Sequence, residues 1–268
     1  MNKNKLIIVL LIGFITFSQY TLFAQNEKQL TKVIELKIYG DGGHNGANVA
    51  WHPIQNKYYA AMAGNIDYPM RVFDAKGLSL ADTSTNTLFD VRGFWYNPNT
   101  KHLQANGYND FGWTEYKLDE NGIPYSVKPL FEGMNQPLGQ SVGVYDAKMD
   151  MVYFFDSEAG KLVKYSFKTG KEVSKLTLVL GVKYYLNDTL ENLSYPYCKN
   201  TLIFNGSEIG LLNADKKQIE LYDINQGTLT NVLKLPPGTP TETYLNFSFA
   251  NDTYFIFDKM NRVWFGYK

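Results

Sequence analysis

Five times along this chain an aromatic residue is followed by a short polar turn and a second apolar segment. The copies are Trp51 in "NVAWHPIQNKYYAA", Tyr96 in "RGFWYNPNTKHLQA", Tyr145 in "VGVYDAKMDMVYFF", Tyr197 in "SYPYCKNTLIFN" and Phe249 in "FSFANDTYFIFD", at steps of 45, 49, 52 and 52 residues. A period of that length filled with strands belongs to propeller blades or stacked β arrays, in which each unit buries its faces against its neighbours. Pro, Asn and Asp in "HPIQN", "NPNT" and "DAKMD" supply the turn between an inner and a second strand.

The second half of each unit repeats as well. "MRVFDAKG", "TEYKLDENG", "LVKYSFKTG" and "IELYDINQG" each read as an alternating strand with a Gly-containing turn, and segments such as "EVSKLTLVL" and "TLTNVLKL" follow as a fourth strand. No sustained recurrence at i, i+3, i+4, i+7 appears after residue 30, so helices are expected to be few. The 15% aromatic content, with 20 Tyr and 17 Phe, suits pleated and half-buried surfaces. The fifth copy stops at Lys268 one strand short, while "KVIELKIYG" at residues 32–40 resembles the missing strand. The expectation is an all-β chain: a five-bladed β-propeller of four-stranded antiparallel blades, its ring closed by an N-terminal strand in the last blade. An open array or a six-bladed ring with one degenerate blade is the alternative.

The stretch "MVYFFDSEAGKLVKYSFKTGKEV" resembles the blade pattern of the YVTN, NHL and SMP-30-like secreted propellers, in which a strand, a polar turn and a "V-x-x-Y/F-x-x-x-x-G" strand recur. The resemblance covers residues 31–268 and implies architecture, not activity. A metal-dependent lactonase of the SMP-30 type would use acids and Asn around a divalent ion. The first blade's leading loop lacks the Glu that this resemblance would want there, and no cofactor is expected.

Composition and targeting narrow the function classes. Formal net charge is zero, with no basic stripe, so nucleic acid is not an expected partner. "MNKNK", the apolar run Leu6 to Phe17 and "TLFAQ" ending near Ala24 read as a secretory signal over residues 1–24, cut before Gln25. That leaves one domain at 25–268, secreted or periplasmic, with no membrane span after cleavage; an uncleaved anchor over Leu6 to Ala24 is the alternative. Cys198 is the single cysteine, so no intramolecular disulfide forms, and without a neighbouring base it reads as a small core residue.

In such a ring the loops leading into each inner strand share one face with the loops joining second and third strands, and ligands are expected there. The richest set comes from the first two copies: His44, Asn48, Asp67, Asp90, Arg92, Tyr108, Asp110 and Trp113. An aromatic with amides, an Arg and acids suits a glycan or a protein segment. The plainer reading is that Trp113 fills the gap between blades and the three Asp bond loop amides. A hydrolase or lyase acting on a carbohydrate or lactone is the alternative function, with Asp67, Asp90, Asp110, Asp156, Glu158 and Glu208 as candidate acids. His52 and His102 fall on the opposite face, which leaves His44 alone and argues against a His-based metal site or a Ser-His-Asp arrangement.

Overall fold

The computed structural model describes residues 26–40, 42–80, 85–180 and 196–268. The expected leader at residues 1–24 and the fourth blade's leading loop at 187–194 lie outside the described residues. Strands β1 (Asn26–Gln29) and β2 (Lys32–Lys37) precede a first blade of β3 (Asn45–His52), β4 (Lys57–Ala63), β5 (Pro69–Asp74) and β6 (Thr85–Asn86). The second comprises β7 (Val91–Asn97), β8 (His102–Gly107), β9 (Trp113–Leu118) and β10 (Pro124–Phe131). The third holds β11 (Val144–Asp146), β12 (Met151–Asp156), β13 (Lys161–Ser166) and β14 (Lys171–Thr177). In the fourth are β15 (Ile203–Phe204), β16 (Glu208–Asn213), β17 (Gln218–Asp223) and β18 (Leu229–Lys234), and β19 (Phe247–Ala250), β20 (Thr253–Asp258) and β21 (Val263–Tyr267) begin the fifth.

Apart from β1, strand order within each sheet follows the chain except at the closure. There β2 adds antiparallel to β21, pairing Glu35 with Phe265 and Leu36 with Trp264, and supplies the outer strand of the fifth blade. The inner strands β3, β7, β11, β15 and β19 adjoin in turn, and β19 returns to β3. The chain is thus a closed five-bladed β-propeller. One strand was not anticipated: β1 runs parallel to β18 and gives the fourth blade a fifth strand.

Central strands such as β4 ("KYYAAMA") and β12 ("MVYFFD") are buried almost throughout because a blade is covered on both faces, so they read as apolar runs rather than strict alternations. Outer strand β14 ("KEVSKLT") is largely exposed, and its lysines protect a free sheet edge. The core is divided into five apolar clusters that follow the blade interfaces, such as Tyr59, Val72, Phe94 and Tyr116 between blades one and two. Cys198, fully buried in the cluster between blades four and five, donates its thiol to Leu245 O, and burial pushes its pKa up to about 12.

Polar staples join blades near the axis. The buried Asn106 accepts both Gly93 N and Gly143 N at its Oδ1 (2.9 and 2.8 Å) and donates to Gln136 and Ser141. Glycine is required at 93, since a Cβ there would lie 2.2 Å from Gly143 O. Asn246 plays the same part between blades five and one by accepting Gly46 N at 2.8 Å.

The fourth blade departs from the register expected of Tyr197. An isolated bridge pairs Tyr197 with Asn213, whereas Ile203 pairs with Gly210, so the ladder slips by three residues between them. The first turn is Asn205–Ser207, the aromatic before it is Phe204, and the loop joining second and third strands shrinks to 214–217. Tyr197 instead donates its hydroxyl to the buried Glu220 (2.7 Å), which also accepts Tyr222, Gln218 and Asn213. Burial opposes ionisation of Glu220, but these four donors outweigh it and hold the carboxyl below the usual range.

Candidate functional site

The channel has two ends: a loop end, where the leading loops and the second-to-third joins gather, and a turn end, where the first-to-second and third-to-fourth turns gather. Three of the expected site residues meet at the loop end. Asp90 and Arg92 form a buried ion pair at 2.6 Å, and the guanidinium lies 4.8 Å from the centre of the Tyr108 ring. The pair also bridges neighbours, because Asp90 Oδ1 accepts Gly64 N of blade one (3.0 Å) and Arg92 Nε donates to Gln140 before blade three (2.6 Å). Both side chains therefore act as clamps across three blades.

The other five expected residues do not join them. His44, Asp67 and Asp110 stay exposed on their loops, Asp110 within a 3-10 turn at Asn109–Phe111. Asn48 is inside β3 rather than in the leading loop, buried and accepting the Ser248 hydroxyl at 2.6 Å. Trp113 needs outright correction as a stacking platform. It is 0% exposed, stacked on Phe167 (5.9 Å) and edge-on to Phe131 (5.4 Å), because β9 turns it into the interface of blades two and three.

Two of the candidate acids, Asp90 and Asp156, bond backbone amides. Asp156 Oδ1 accepts the amides of Glu158 and Ala159 and closes its own turn. Glu208 lies at the turn end, not the loop end, and accepts from Thr230, Asn231 and Asn205. Among the described residues no group of three or more His, Cys, Asp or Glu is placed to hold a metal ion, and no helix is long and apolar enough to cross a membrane.

The turn end holds the more developed hollow. Trp51, Tyr96, Tyr145, Phe204 and Phe249, one from each blade and each at or near the end of an inner strand, ring a cavity of about 330 Å³ floored by residues such as Asn48 and Val49. All five are half-buried. Each is held by packing: Trp51 against Tyr58 (4.5 Å), Tyr96 against His52 (4.6 Å), Phe249 against Tyr254 (4.9 Å), Phe204 edge-on to Tyr153 (5.4 Å) and Tyr145 stacked with Trp95 (6.3 Å). The Tyr145 hydroxyl donates to Asp150 (2.8 Å) and accepts from Asn99 (3.1 Å); burial, then the bond to Asp150, raise its pKa to about 12. It is neutral at physiological pH. No carboxylate is among the residues lining this mouth.

Four of the five mouth aromatics are landmarks of the sequence repeat, yet the repeat alone reads as a blade marker. The available signal was positional: one aromatic per blade, just before the first turn, places five rings at one height of one channel.

No protein-family model matches the chain, and no curated protein sequence matches it. Among solved structures, the glutaminyl cyclase of Myxococcus xanthus is similar, with a TM-score of 0.54 at 10% identity over 90% of this chain and 97% of that one. An auxiliary nutrient binding protein from Bacteroides thetaiotaomicron has a TM-score of 0.46 at 13% identity, over 85% of this chain and 60% of that one. Likeness at such identity speaks of fold alone, and on fold the strand pairing is explicit: this chain is a β-propeller of five blades clasped by its own N-terminal strand.

Proposed function

We propose that the protein is a recognition module that seats a sugar ring of a glycan in the aromatic mouth at the turn end of the channel. The observation that carries this reading is the ring of five aromatics, one per blade, around a hollow near the lower end of the roughly 300–1,000 Å³ range of ligand sites. Aromatic faces offer sugars apolar contact at low entropic cost because the rings are already fixed by their neighbours. Binding fits better than turnover. Glycoside hydrolysis needs two carboxyl groups flanking the bond to be broken, and the mouth is lined by none.

The test is calorimetric titration of neutral and acidic oligosaccharides into the protein and into Trp51→Ala and Phe204→Ala. Each variant is expected to weaken binding at least tenfold, about 1.4 kcal/mol, while circular dichroism shows the fold retained. Folded variants that bind as the parent does, or a parent that binds no oligosaccharide, would overturn the reading. A peptide bound at the same mouth in preference to sugars would transfer it to a protein segment.

A further inference from the structure

A second hollow opens at the same turn end. This cleft of about 630 Å³ runs beneath the second blade, from the first blade's turn at His52 to Gln55 across to Tyr125 and Lys128. It shares a wall with the aromatic mouth, because His52 lines the cleft and packs 4.6 Å from Tyr96, which lines the mouth.

Its charges are uneven. Both acids are occupied: Glu115 pairs with His102 (3.2 Å) and accepts Gln104 (3.2 Å), and Asp119 accepts the amides of Asn121 and Ile123 at 2.9 and 2.7 Å. Lys101, Lys117 and Lys128 are exposed, and none of them takes part in the ion pairs formed among the described residues. In a chain of zero formal net charge this is a local cationic excess over a concave surface. Tyr125, 61% exposed, adds an aromatic surface at the rim. Three mobile ammonium groups around a cleft meet a compact oxyanion from several sides, whereas planar bidentate recognition would call for Arg.

We propose that this cleft is an anionic subsite, taking the carboxylate or sulfate group of an acidic sugar in the same glycan whose neighbouring ring occupies the mouth. The proposal rests on the reading of the mouth and names its ligand class: an acidic oligosaccharide, held by apolar contact at one point and by charge at the next. Lysine–oxyanion contacts at an exposed cleft weaken with added salt, while the apolar contact does not.

The experiment is titration of the full chain with an oligogalacturonate, its neutral methyl ester, a sulfated oligosaccharide and an oligoglutamate peptide. At least one acidic sugar is expected to bind tenfold or more tightly than the ester, with the advantage shrinking at high salt. The variant Lys101→Gln/Lys117→Gln/Lys128→Gln, altered at exposed positions only, should erase that advantage and leave the affinity for the ester unchanged. Trp51→Ala should weaken acid and ester alike. Carboxylated against sulfated sugar identifies the source of the anion. Equal binding of acid and ester, a preference that survives in the triple variant, or no binding of any acidic sugar overturns the proposal. Should the ester bind without an acidic preference, the mouth stands and the cleft falls. If the preference is lysine-dependent but Trp51→Ala leaves the affinities for acid and ester both unchanged, the mouth falls and the cleft stands. Oligoglutamate bound more tightly than every sugar would overturn the glycan assignment.

Discussion

His52 occupies a position that three other blades give to Asn or Asp. Asn97 and Asp146 end their inner strands, Asn205 directly follows one, and each accepts the backbone amide two residues on, at 2.9, 2.9 and 3.1 Å. In the first blade the acceptor is His52 Nδ1, which takes Gln55 N at 3.3 Å and can do so only while unprotonated. Burial, and after it the positive field of His102, lower the pKa of His52. The neutral ring is therefore favoured on folding, so its contribution is complete above the unfolded value of about 6.5 and is lost as pH falls through the lowered folded value. His52→Asn, which restores the acceptor used elsewhere, should flatten the loss of stability between neutral and mildly acidic pH in denaturant titrations. An unchanged slope would show that another group governs it. The turn itself was legible from "HPIQN"; the role of the imidazole was not, because a cap of this kind is a matter of ring orientation. The pairing of Asp90 with Arg92 was hidden for a similar reason: both residues were singled out, but their burial depends on loops 26 and 48 residues away.

Among the elements, blades two and three show how far a strand pattern can be read. The sequence "GWTEYKL" announces β9 without saying which of its faces meets a neighbour, and that choice decides whether Trp113 is a ligand platform or core. The ring lies within 6.3 Å of Trp95, Phe154, Phe131 and Phe167, and its Nε1 finds no hydrogen-bond partner. Trp113→Ala should cost roughly 3–5 kcal/mol of stability through the cavity it leaves. Trp113→Phe should cost less than half as much, since no indole hydrogen bond is lost. Denaturant midpoints decide, and a Trp113→Ala protein as stable as the parent would place the residue outside the core. Element register was the weaker part of the sequence reading. "YCKNTLIF" imitates an aromatic, a turn and a strand, whereas the true turn lies in "FNGSE" and is seen only once Ile203 is paired with Gly210.

For the whole molecule, the number of blades and the clasp followed from counting: five copies, the last lacking a strand that the N-terminus could supply. The strand β1 did not follow from it, because four polar residues, "NEKQ", give no apolar pattern to read. Deleting residues 25–40 should bare the edges of β18 and β21 and remove the buried Leu30, Leu36 and Ile38. At about 1.5–3 kcal/mol for each buried aliphatic side chain, the loss is of the order of 5 kcal/mol, a large share of the 5–15 kcal/mol typical of a domain. Calorimetry should show a much lower melting temperature, and a truncated protein that melts like the parent would mean that the ring does not depend on its clasp.

The clasp also sets an order of events. Thr31 and Lys268 exchange two backbone hydrogen bonds, at 2.9 and 3.0 Å, although 237 residues separate them. Blades one to four can pair strands that are near in sequence, but β2, which precedes all five inner strands, has nowhere to go until β21 exists. The closing step carries the entropy of a very long loop and comes late. A product that stops before Val263 keeps its N-terminal strand unpaired and its ring open, with bare sheet edges that proteases and aggregation select against. Placing the seam between β2 and β21 thus makes ring closure a check that the fifth blade is whole.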